Sequence, residues 1–532
     1  MMPMKTKDVF MKTRLLMAAM VAVVSPTVTA HAAAPGITGP TFNLTAQTAF
    51  LNQPDGSAVY SWGYGCNGAP SGYAPAAITG ASCPTMQVPG PTLIVTEGQT
   101  VTVNLTNNLP TAAGNTSILF PGFSVTATGG AAGLLTQEAA PGGTVTYTFI
   151  ASSPGTRSYY SGTQGDLQVE MGLYGAVIVL PANVPSVCTS GLPAANVQVE
   201  LAHGESDFRL AASAYDHPKT CYDREYLFQF SEMDPNIHNQ TLAQVKALQG
   251  CTAGAAGCSL HVPTEPYHPA YFMINGRSMP DDMDANYGVE YPHQPYNGNP
   301  HLHPGEQVLL RIIGQGRWQH PFHEHANHVR ILARDGNLIL SATDPKSLAG
   351  PALFTTTTTP GMAMDGIFYY TGRGLNWDMY AHNPKSSDPL ATLSCVPDFN
   401  GYYTVNSIPP APVSAINYYE WCQDHNKPLQ VSPFGDVESG GPATLPDPNI
   451  FTNGAWYSGS PYLGPDATGR ATGTTSDFQP ANVQANPANE RGFAFMWHSH
   501  NEREITTNNV FPGGMMMMML VDSREFVIDE QN

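Results

Sequence analysis

The stretch "VPGPTLIVTEGQTVTVNLTNNLP", residues 88–110, has the pattern that decides the fold. From Thr100 to Leu105 polar and apolar residues alternate, which is the period of a β-strand with one buried face. Gly, Pro and Asn residues on either side are typical of turns. The stretch therefore predicts half-buried strands joined by turns, as in a β-sandwich.

The same pattern recurs along the chain. The segments "PGGTVTYTFIA" (141–151) and "GLYGAVIVL" (172–180) complete a first sandwich of about 100 residues. A second series of strand-like segments follows: "REYLFQFSEMD" (224–234), "YFMINGRSM" (271–279), "GEQVLLRIIG" (305–314), "HVRILARDG" (328–336), "TTTTTPGMAMDGIFYYT" (355–371), "GFAFMWHSH" (492–500) and "MMMMMLV" (515–521). Because "PGMAMD" in the second series repeats the turn-strand pattern of "PGGTVTYT", the chain looks internally duplicated.

Composition favours an all-β chain of more than one domain. With 532 residues the chain is too long for one core and fits two or three domains. It has 51 Gly, 47 Pro and only 12% charged residues, which favours short strands over long charged helices. The net charge of -19 argues against a nucleic-acid partner and makes cations natural partners, although acidity alone would also keep an exported protein soluble.

The first 34 residues have the pattern of a secretory signal. A basic region that includes Arg14 precedes the apolar stretch "LLMAAMVAVV" (15–24), and small residues provide a cleavage site after Ala32 or Ala34. The apolar stretch is shorter than the roughly 20 residues of a membrane span, and no later segment has that length. We therefore expect an exported protein, periplasmic, at the cell surface or extracellular, and not an integral membrane protein.

The eight cysteines form an even set, which in an exported chain indicates disulfides. Pairing of neighbours along the chain gives Cys66 with Cys83, Cys188 with Cys221, Cys251 with Cys258, and Cys395 with Cys422. None of the eight lies beside the histidine clusters.

The predicted organisation has two sandwiches and their connecting segments. A signal peptide (1–34), an N-terminal lead (35–84), the first sandwich (85–183), a linker (184–221) and the second sandwich (222–526) follow one another. Residues 376–485 lose the strand pattern, which indicates an ordered, disulfide-tied insertion or a lid in the second sandwich. The stretch "LAQVKALQG" (242–250) is predicted to be a helix.

Two histidine clusters stand out by their spacing. The first is "HPFHEHANH" (320–328), which holds four histidines, and the second is His498-Ser499-His500. In a strand, residues two apart face the same way about 6 to 7 Å from each other, so His323 pairs with His325, and His498 with His500. If the two pairs face each other, four imidazoles meet.

Four imidazole nitrogens without a thiolate favour copper(II) or zinc over calcium or magnesium. Glu324, Glu502 and Glu504 lie nearby in sequence and are candidates for further ligands or for hydrogen-bond partners of the imidazoles. The competing interpretation is a set of surface or hydrogen-bonded histidines without a metal. A third set, His301-Leu302-His303 with His293, lies in a turn region, where loop histidines are expected more than ligands.

Taken in order, these segments resemble the landmarks of the multicopper oxidases, which are built from cupredoxin domains. The resemblance is carried by "GPTLIVTEGQTVTVNLTNNL", "PGTRSYYSGTQGDLQVEMGLYGAVIVL", "INGRSMPD", "HPFHEHANHVRILARDG" and "WHSH" followed by "GGM", and it covers about residues 85–525 apart from the insertion. It implies tandem cupredoxin-like Greek-key β-sandwiches. It also implies a mononuclear copper with a cysteine ligand and four His-x-His pairs that hold a trinuclear copper cluster.

The sequence departs from that pattern in the first domain. The first family pair falls at Leu119-Phe120-Pro121-Gly122 and the second at Tyr160-Ser161-Gly162, so both first-domain pairs are absent. The third and fourth pairs are retained, as His323 with His325 and His498 with His500.

The mononuclear site also departs from the family. His320 matches its histidine, but Ser499 replaces the cysteine and Glu504 stands where a further histidine is expected. Because a neutral serine hydroxyl is a poor soft ligand, the family's blue copper site is not expected. One thioether of the run Met515–Met519 is a candidate for a place near His320, as the resemblance to the family's axial methionine implies, and core packing by alternate methionines is the preferred interpretation.

The retained residues predict a reduced, histidine-only metal site. Its candidate metal ligands are His320, His323, His325, His328, His498, His500 and Glu504, with one or two copper ions bound and zinc as the alternative. We expect a multicopper-oxidase-like oxidoreductase that acts on a small reductant or oxygen, without assigned catalytic residues. The alternative is a protein that only sequesters copper or zinc, or a structural cupredoxin protein. A zinc hydrolase with Glu324 or Glu504 as base has only the ligand set in its favour.

Overall fold

The regular structure is almost entirely β-strand. The computed structural model describes residues 33–190, 197, 201, 204–303, 306–370, 459–463, 490–522 and 528. The strands up to residue 180 are β1 (Gly36–Thr38), β2 (Thr41–Asn52), β3 (Ala58–Cys66), β4 (Tyr73–Ala74), β5 (Leu93–Thr96), β6 (Thr100–Asn107), β7 (Thr126–Thr128), β8 (Ala131–Ala132), β9 (Gln137–Glu138), β10 (Thr144–Ile150), β11 (Gly155–Tyr160) and β12 (Tyr174–Leu180).

The later strands begin at residue 224. They are β13 (Arg224–Met233), β14 (Tyr271–Ile274), β15 (His301–Leu302), β16 (Gln307–Gly314), β17 (His320–Glu324), β18 (Val329–Arg334), β19 (Asn337–Leu338), β20 (Ala352–Leu353), β21 (Thr355–Thr358), β22 (Ala363–Tyr369), β23 (Gly459–Leu463), β24 (Glu490–Ser499) and β25 (Met516–Asp522). The helices are α1 (Gly165–Gln168), α2 (Ser186–Ser190) and α3 (Pro235–Ala247), with 3-10 turns at Thr111–Ala113 and Asp281–Met283.

Two five-stranded sheets form the first sandwich. Their strand orders are β11-β12-β5-β1-β4 and β3-β2-β6-β10-β7. In β6 every second side chain is buried, and Val101, Val103 and Leu105 pack in one apolar cluster with Leu93 and Val177 of the facing sheet. The half-buried strand predicted from the opening stretch is confirmed.

The N-terminal lead is part of this sandwich. Residues 36–74 supply four strands, and β2 lies parallel to β6 with Thr41 opposite Thr102. Phe42, Leu44 and Ala46 of β2 are buried in the same core. The predicted boundary between the N-terminal lead and the first sandwich, at residue 84, therefore separates strands that belong to the same sheets. Parallel pairing joins segments that are far apart in the chain. The remaining domain boundaries stay predictions.

The second sandwich repeats this two-sheet arrangement. One sheet has the order β14-β13-β16-β22-β18-β19, with β20 beside β18, and the other β15-β25-β24-β17-β21, with β23 beside β24. Between them lies an apolar cluster that includes Phe228, Ile312, Phe322 and Trp497. The predicted all-β class with two sandwiches is confirmed.

Three of the four predicted disulfides are present, Cys66–Cys83, Cys188–Cys221 and Cys251–Cys258. Cys395 and Cys422 lie outside the described residues, as do the predicted signal peptide up to residue 32 and residues 376–485 except 459–463. Within the described part of the chain, no helix has the length and apolarity that a membrane crossing requires.

The predicted helix is longer than its pattern indicated. α3 begins at Pro235 and not at Leu242, because Asp234 caps it: the Asp234 carboxylate accepts a hydrogen bond from the N–H of Asn236 at 2.9 Å. An Asp followed by Pro is a typical helix start, so the dipeptide is the signal that would have placed the boundary.

A buried carboxylate joins the two sandwiches. Asp365 in β22 accepts hydrogen bonds from the N–H (3.1 Å) and the hydroxyl (2.6 Å) of Thr156 in β11, and from the hydroxyl of Tyr215 (2.5 Å). Arg311 in β16 lies 3.6 Å from the same carboxylate and 2.8 Å from Glu225. Asp365 is 1% exposed, so water cannot replace these partners.

We expect Asp365→Ala to lower the free energy of unfolding by about 3 kcal/mol or more, because a buried N–H and hydroxyl lose their acceptor and Arg311 loses a counterion. Chemical denaturation at pH 7 measures this. Asp216→Ala, at an exposed aspartate, is the control and should change little. Equal stability of the two variants would show that Asp365 does not join the sandwiches.

Candidate metal centre

The site depends on the pairing of β17 with β24. The two strands are antiparallel, with His323 opposite His498 and Phe322 opposite Ser499. Because side chains alternate between the faces of a sheet, His323 and His498 lie on one face and Phe322 and Ser499 on the other. Phe322 and Trp497 belong to the apolar core, so the first face is directed away from it.

Four imidazoles meet on this outer face. The ring centroid of His323 lies 4.8 Å from that of His325, 5.6 Å from that of His498 and 5.0 Å from that of His500. The centroids of His325 and His498 are 5.1 Å apart, and those of His498 and His500 are 5.5 Å apart. The two histidine pairs predicted to face each other are therefore brought together.

Burial keeps the imidazoles of His323, His325 and His498 neutral. Desolvation, followed by the neighbouring imidazoles, lowers the pKa of His323 to about 4 and that of His325 to about 3. Burial also lowers the pKa of His498. The side chain of His500 is 51% exposed and leaves one side of the cluster open to solvent. A neutral imidazole offers a nitrogen lone pair, so the three buried rings are in the form that binds transition metals.

Two hydrogen bonds orient the rings. Nδ1 of His498 donates to the carbonyl oxygen of Ser499 at 2.7 Å, and Nδ1 of His323 lies 2.8 Å from Oγ1 of Thr355. With its proton on Nδ1, His498 carries its lone pair on Nε2. Hydrogen bonds to the second ring nitrogen commonly orient histidine ligands in metal sites.

The chemistry of these donors fits copper or zinc. Nε2 of His498 lies 3.2 Å from Nε2 of His325, close to the separation of about 3.3 Å for two nitrogens bound at about 2.0 Å to one tetrahedral ion. Among the described residues, no three or more His, Cys, Asp or Glu side chains already have their donor atoms arranged to hold an ion. The cluster thus has a closely spaced pair of nitrogens and two further imidazoles beside it.

On the opposite face, His320 is held between two glutamates. Its Nε2 lies 2.9 Å from Glu232 and its Nδ1 2.9 Å from Glu504, and all three side chains are buried. Ser499 donates a hydrogen bond of 2.5 Å to the same oxygen of Glu504, and Asn501 donates to the other at 2.8 Å. We call this set, Glu232, His320, Glu504 and Ser499, the histidine clamp.

The clamp holds a charged imidazole in the core. Burial opposes the charge, but hydrogen bonds and charge attraction from Glu232 and Glu504 outweigh it and raise the pKa of His320 to about 9. Because both ring nitrogens donate to carboxylates, neither offers a lone pair to a metal. His320, Ser499 and Glu504 therefore do not fit an electron-transfer copper, which needs a thiolate and neutral imidazoles.

The other candidates have separate positions. Glu324 lies on the core face, where burial raises its pKa to about 8 and Thr356 donates to it at 2.6 Å. His328 packs against Phe354 with centroids 5.0 Å apart, and burial lowers its pKa. Glu502 lies 3.8 Å from Nδ1 of His500 at the surface. Glu502 and His328 therefore lie beside the imidazole cluster. Glu502 is next to His500. His328 is near His323, because Phe354 packs against both rings, with the centroids of His323 and Phe354 5.8 Å apart.

The methionine run packs in the core. Met515, Met517 and Met519 belong to the same apolar cluster as Trp497, and Met517 lies opposite Trp497 in the β24–β25 ladder. The preferred interpretation from the sequence is confirmed for these three. The third histidine set is also engaged in structural contacts: His303 lies 2.8 Å from Glu205, and His293 lies 2.8 Å from the carbonyl oxygen of Met86.

Comparison with known proteins supports the resemblance seen in the motifs. Residues 81–184 match the family model described as multicopper oxidase. The segment that resembles this family lies in the first sandwich. Together with the two sandwiches, this confirms the predicted fold class of tandem cupredoxin-like domains. A segment of 98 residues is 37% identical to L-ascorbate oxidase from Brassica rapa subsp. pekinensis, and it makes up 18% of this chain and only 16% of that relative.

Solved structures of copper oxidases align with most of this chain. The multicopper oxidase mgLAC is 15% identical, with a TM-score of 0.42 over 91% of this chain and 86% of that one. A blue copper oxidase from Nitrosomonas europaea is also 15% identical, with a TM-score of 0.43 over 90% of this chain and 85% of that one. Similarity at this level says nothing about activity.

Sequence reasoning missed Glu232. It lies in β13, whose ten residues are all buried, and its other oxygen accepts hydrogen bonds from the N–H groups of Arg317 (2.7 Å) and Trp318 (2.8 Å). A carboxylate in a strand that is buried on both faces is costly without partners. That cost is the signal that should have marked "FSEMD" as part of a polar network.

The clamp predicts a pH dependence of stability. A His whose pKa rises on folding from 6.5 to about 9 stabilises the folded state fully below pH 6.5, and this contribution is lost as the pH rises through 9. Its size is on the order of 3 kcal/mol. In Glu504→Gln we expect a loss of about 1–2 kcal/mol at pH 6 that shrinks towards pH 10.

Denaturant unfolding of both proteins between pH 6 and pH 10 measures this difference. Glu502→Gln is the matched control, because the Glu502 side chain is 74% exposed and lies outside the clamp. A Glu504→Gln loss that stays the same at every pH would exclude a charged His320.

Proposed function

We propose that this chain is an exported copper-binding relative of the multicopper oxidases with a reduced, histidine-only site. His323, His325, His498 and His500 would hold one or two copper ions, and zinc is the alternative metal. The observation that carries this proposal is the convergence of four imidazoles, three of them buried with lowered pKa, on one face of the β17–β24 pair. Copper bound there would supply one-electron redox chemistry.

The protein would contribute orientation and access. The Ser499 carbonyl and the Thr355 hydroxyl hold two of the rings by their Nδ1 atoms, which directs Nε2 towards the cluster. The exposed side of His500 provides a path for a small reductant or oxygen, and Glu502 beside it can accept a proton. His328 is proposed as an outlying ligand, whereas His320 and Glu504 are proposed to act as a structural ion pair.

The first candidate function is that of an oxidoreductase, and the second is that of a metal-binding protein without catalytic activity. The oxidoreductase is supported by the multicopper oxidase resemblance of residues 81–184 and by the open side of the imidazole cluster. The second candidate, a protein that sequesters copper or zinc, is supported by the histidine clamp, because that clamp occupies the position where the family's electron-entry copper would bind.

Export is part of the proposal. It rests on the signal pattern at residues 1–34 and on the three disulfides, which persist in oxidising compartments.

Copper loading tests the metal site. We expect the purified chain to bind about one or two copper ions, with a paramagnetic resonance spectrum of nitrogen-ligated copper and without the intense blue absorption of a thiolate complex. His325→Ala should lower the copper affinity at least about tenfold, because it removes one nitrogen of the closely spaced pair. His261→Ala, at an exposed histidine, is the control and should bind as the wild type does. Failure of the wild type to bind copper or zinc would refute both candidate functions.

Oxygen consumption separates the two candidates. With a phenol or a reduced metal ion as reductant, an oxidoreductase should consume oxygen in proportion to its bound copper. His500→Ala should reduce the rate more than His261→Ala does, because His500 lies on the open side of the cluster. Copper-loaded protein that consumes no oxygen with either reductant would favour sequestration.

A further inference from the structure

A cavity of about 470 Å³ lies between the two sandwiches, apart from the imidazole cluster. One wall comes from the first sandwich, with Leu119, Tyr160 and Val169, and the other from the second, with Gly316 and Pro360. Its volume is within the range of about 300–1,000 Å³ that is typical of sites for small organic molecules.

The cavity wall is built from the two segments that replace the family's first-domain histidine pairs. Leu119 and Tyr160 exchange backbone hydrogen bonds of 2.8 and 3.3 Å, so the two segments lie side by side. Gly162 completes this wall, and a Cβ there would come within 2.8 Å of the Leu119 side chain. Apolar groups therefore stand where the resemblance would place metal-binding imidazoles.

The described residues that line the cavity carry no charge and include no histidine. Two of its polar side chains are already engaged. Ser161 donates to Gln168 at 2.7 Å, and Gln315 accepts from Ser158 at 2.8 Å and donates to Gly175 at 2.9 Å.

Two polar groups are left for a ligand. Within the described part of the chain, neither the Tyr160 hydroxyl nor the Gln164 carboxamide has a hydrogen-bond partner. Such a lining disfavours ions, because a charge would lose its hydration without a counterion, and it favours an apolar body with one or two hydrogen-bonding groups.

The entrance carries two leucines that are exposed. Leu134 and Leu135, at the tip of the β8–β9 hairpin, are 92% and 64% exposed. Both line the cavity, so a ligand inside it would cover part of their surface. Burial of that surface would stabilise the complex by about 25 cal/mol for each Å² removed from water.

We propose that this cavity binds a neutral, mainly apolar organic molecule that bears a hydroxyl, carbonyl or amine group. The ligand lies between the sandwiches, with its apolar body against Leu119, Leu134 and Leu135 and its polar group near Tyr160 or Gln164. This site is distinct from the imidazole cluster and does not require a bound metal.

A pair of fluorescent probes tests both the site and its preference for neutral ligands. N-phenyl-1-naphthylamine is neutral, and 8-anilino-1-naphthalenesulfonate has the same body with an added sulfonate. Titration of the full chain should show saturable binding of the neutral probe at about one molecule per chain. The sulfonate should bind at least about tenfold more weakly, because no cation lines the cavity. Equal affinities for the two probes, or no saturable binding of the neutral one, would overturn the proposal.

Two variants locate the probe. Leu119→Trp should fill the cavity, and Leu134→Asp should place a charge at its entrance. Each is expected to weaken binding of the neutral probe about tenfold or more while the copper content stays that of the wild type. Val289→Asp is the matched control, because Val289 is 88% exposed and lies outside the cavity.

The exposed position of Leu134 makes its variant informative even if Leu119→Trp fails to fold, which circular dichroism would reveal. If Val289→Asp weakens binding as much as Leu134→Asp does, the probe binds to general apolar surface and the cavity site is excluded. Unchanged copper content distinguishes loss of this site from failure of the metal site.

Discussion

The antiparallel pairing of β17 with β24 is the constraint on which the candidate site depends. Because His323 lies opposite His498, strand alternation gives the pair two faces with different chemistry. Neutral imidazoles gather on the outer face, and Ser499 and His320 take part in the clamp on the core side. A shift of β24 by one residue would turn His498 towards the core and Trp497 away from it, so the apolar core is what fixes the register.

The two faces also show how environment separates the chemistry of one residue type. His323 and His320 are both buried and lie three residues apart, yet burial among imidazoles lowers the pKa of the first and two carboxylates raise that of the second. The neutral ring keeps a lone pair for a metal, whereas the charged ring has both nitrogens committed as donors. Sequence spacing places these rings on different faces, but only the charged groups around them decide their roles.

Local patterns predicted much of this arrangement, and non-local contacts explain what they missed. Alternation in residues 100–105 and the spacing of His323 with His325 are local, so the strands and the co-facing imidazoles could be predicted. The clamp required Glu232, which is 88 residues from His320 in the chain, and no local pattern connects them. The N-terminal strands were missed for the same reason, because the parallel partner of β2 is β6.

The polar residues around His320 act as one set. Ser499 without Glu504 would leave a buried hydroxyl without its acceptor, and Glu504 alone would bring a second carboxylate near Glu232. Together these residues pair each other's hydrogen-bonding groups, since Ser499 donates to Glu504 and a protonated His320 donates to both glutamates. A buried charge is stable only when its partners and their remaining hydrogen bonds are complete, and here Asn501 and the N–H groups of residues 317 and 318 complete them. The set around His320 is therefore a complete core arrangement, and Ser499→Cys without a change at Glu504 would leave the imidazolium in place.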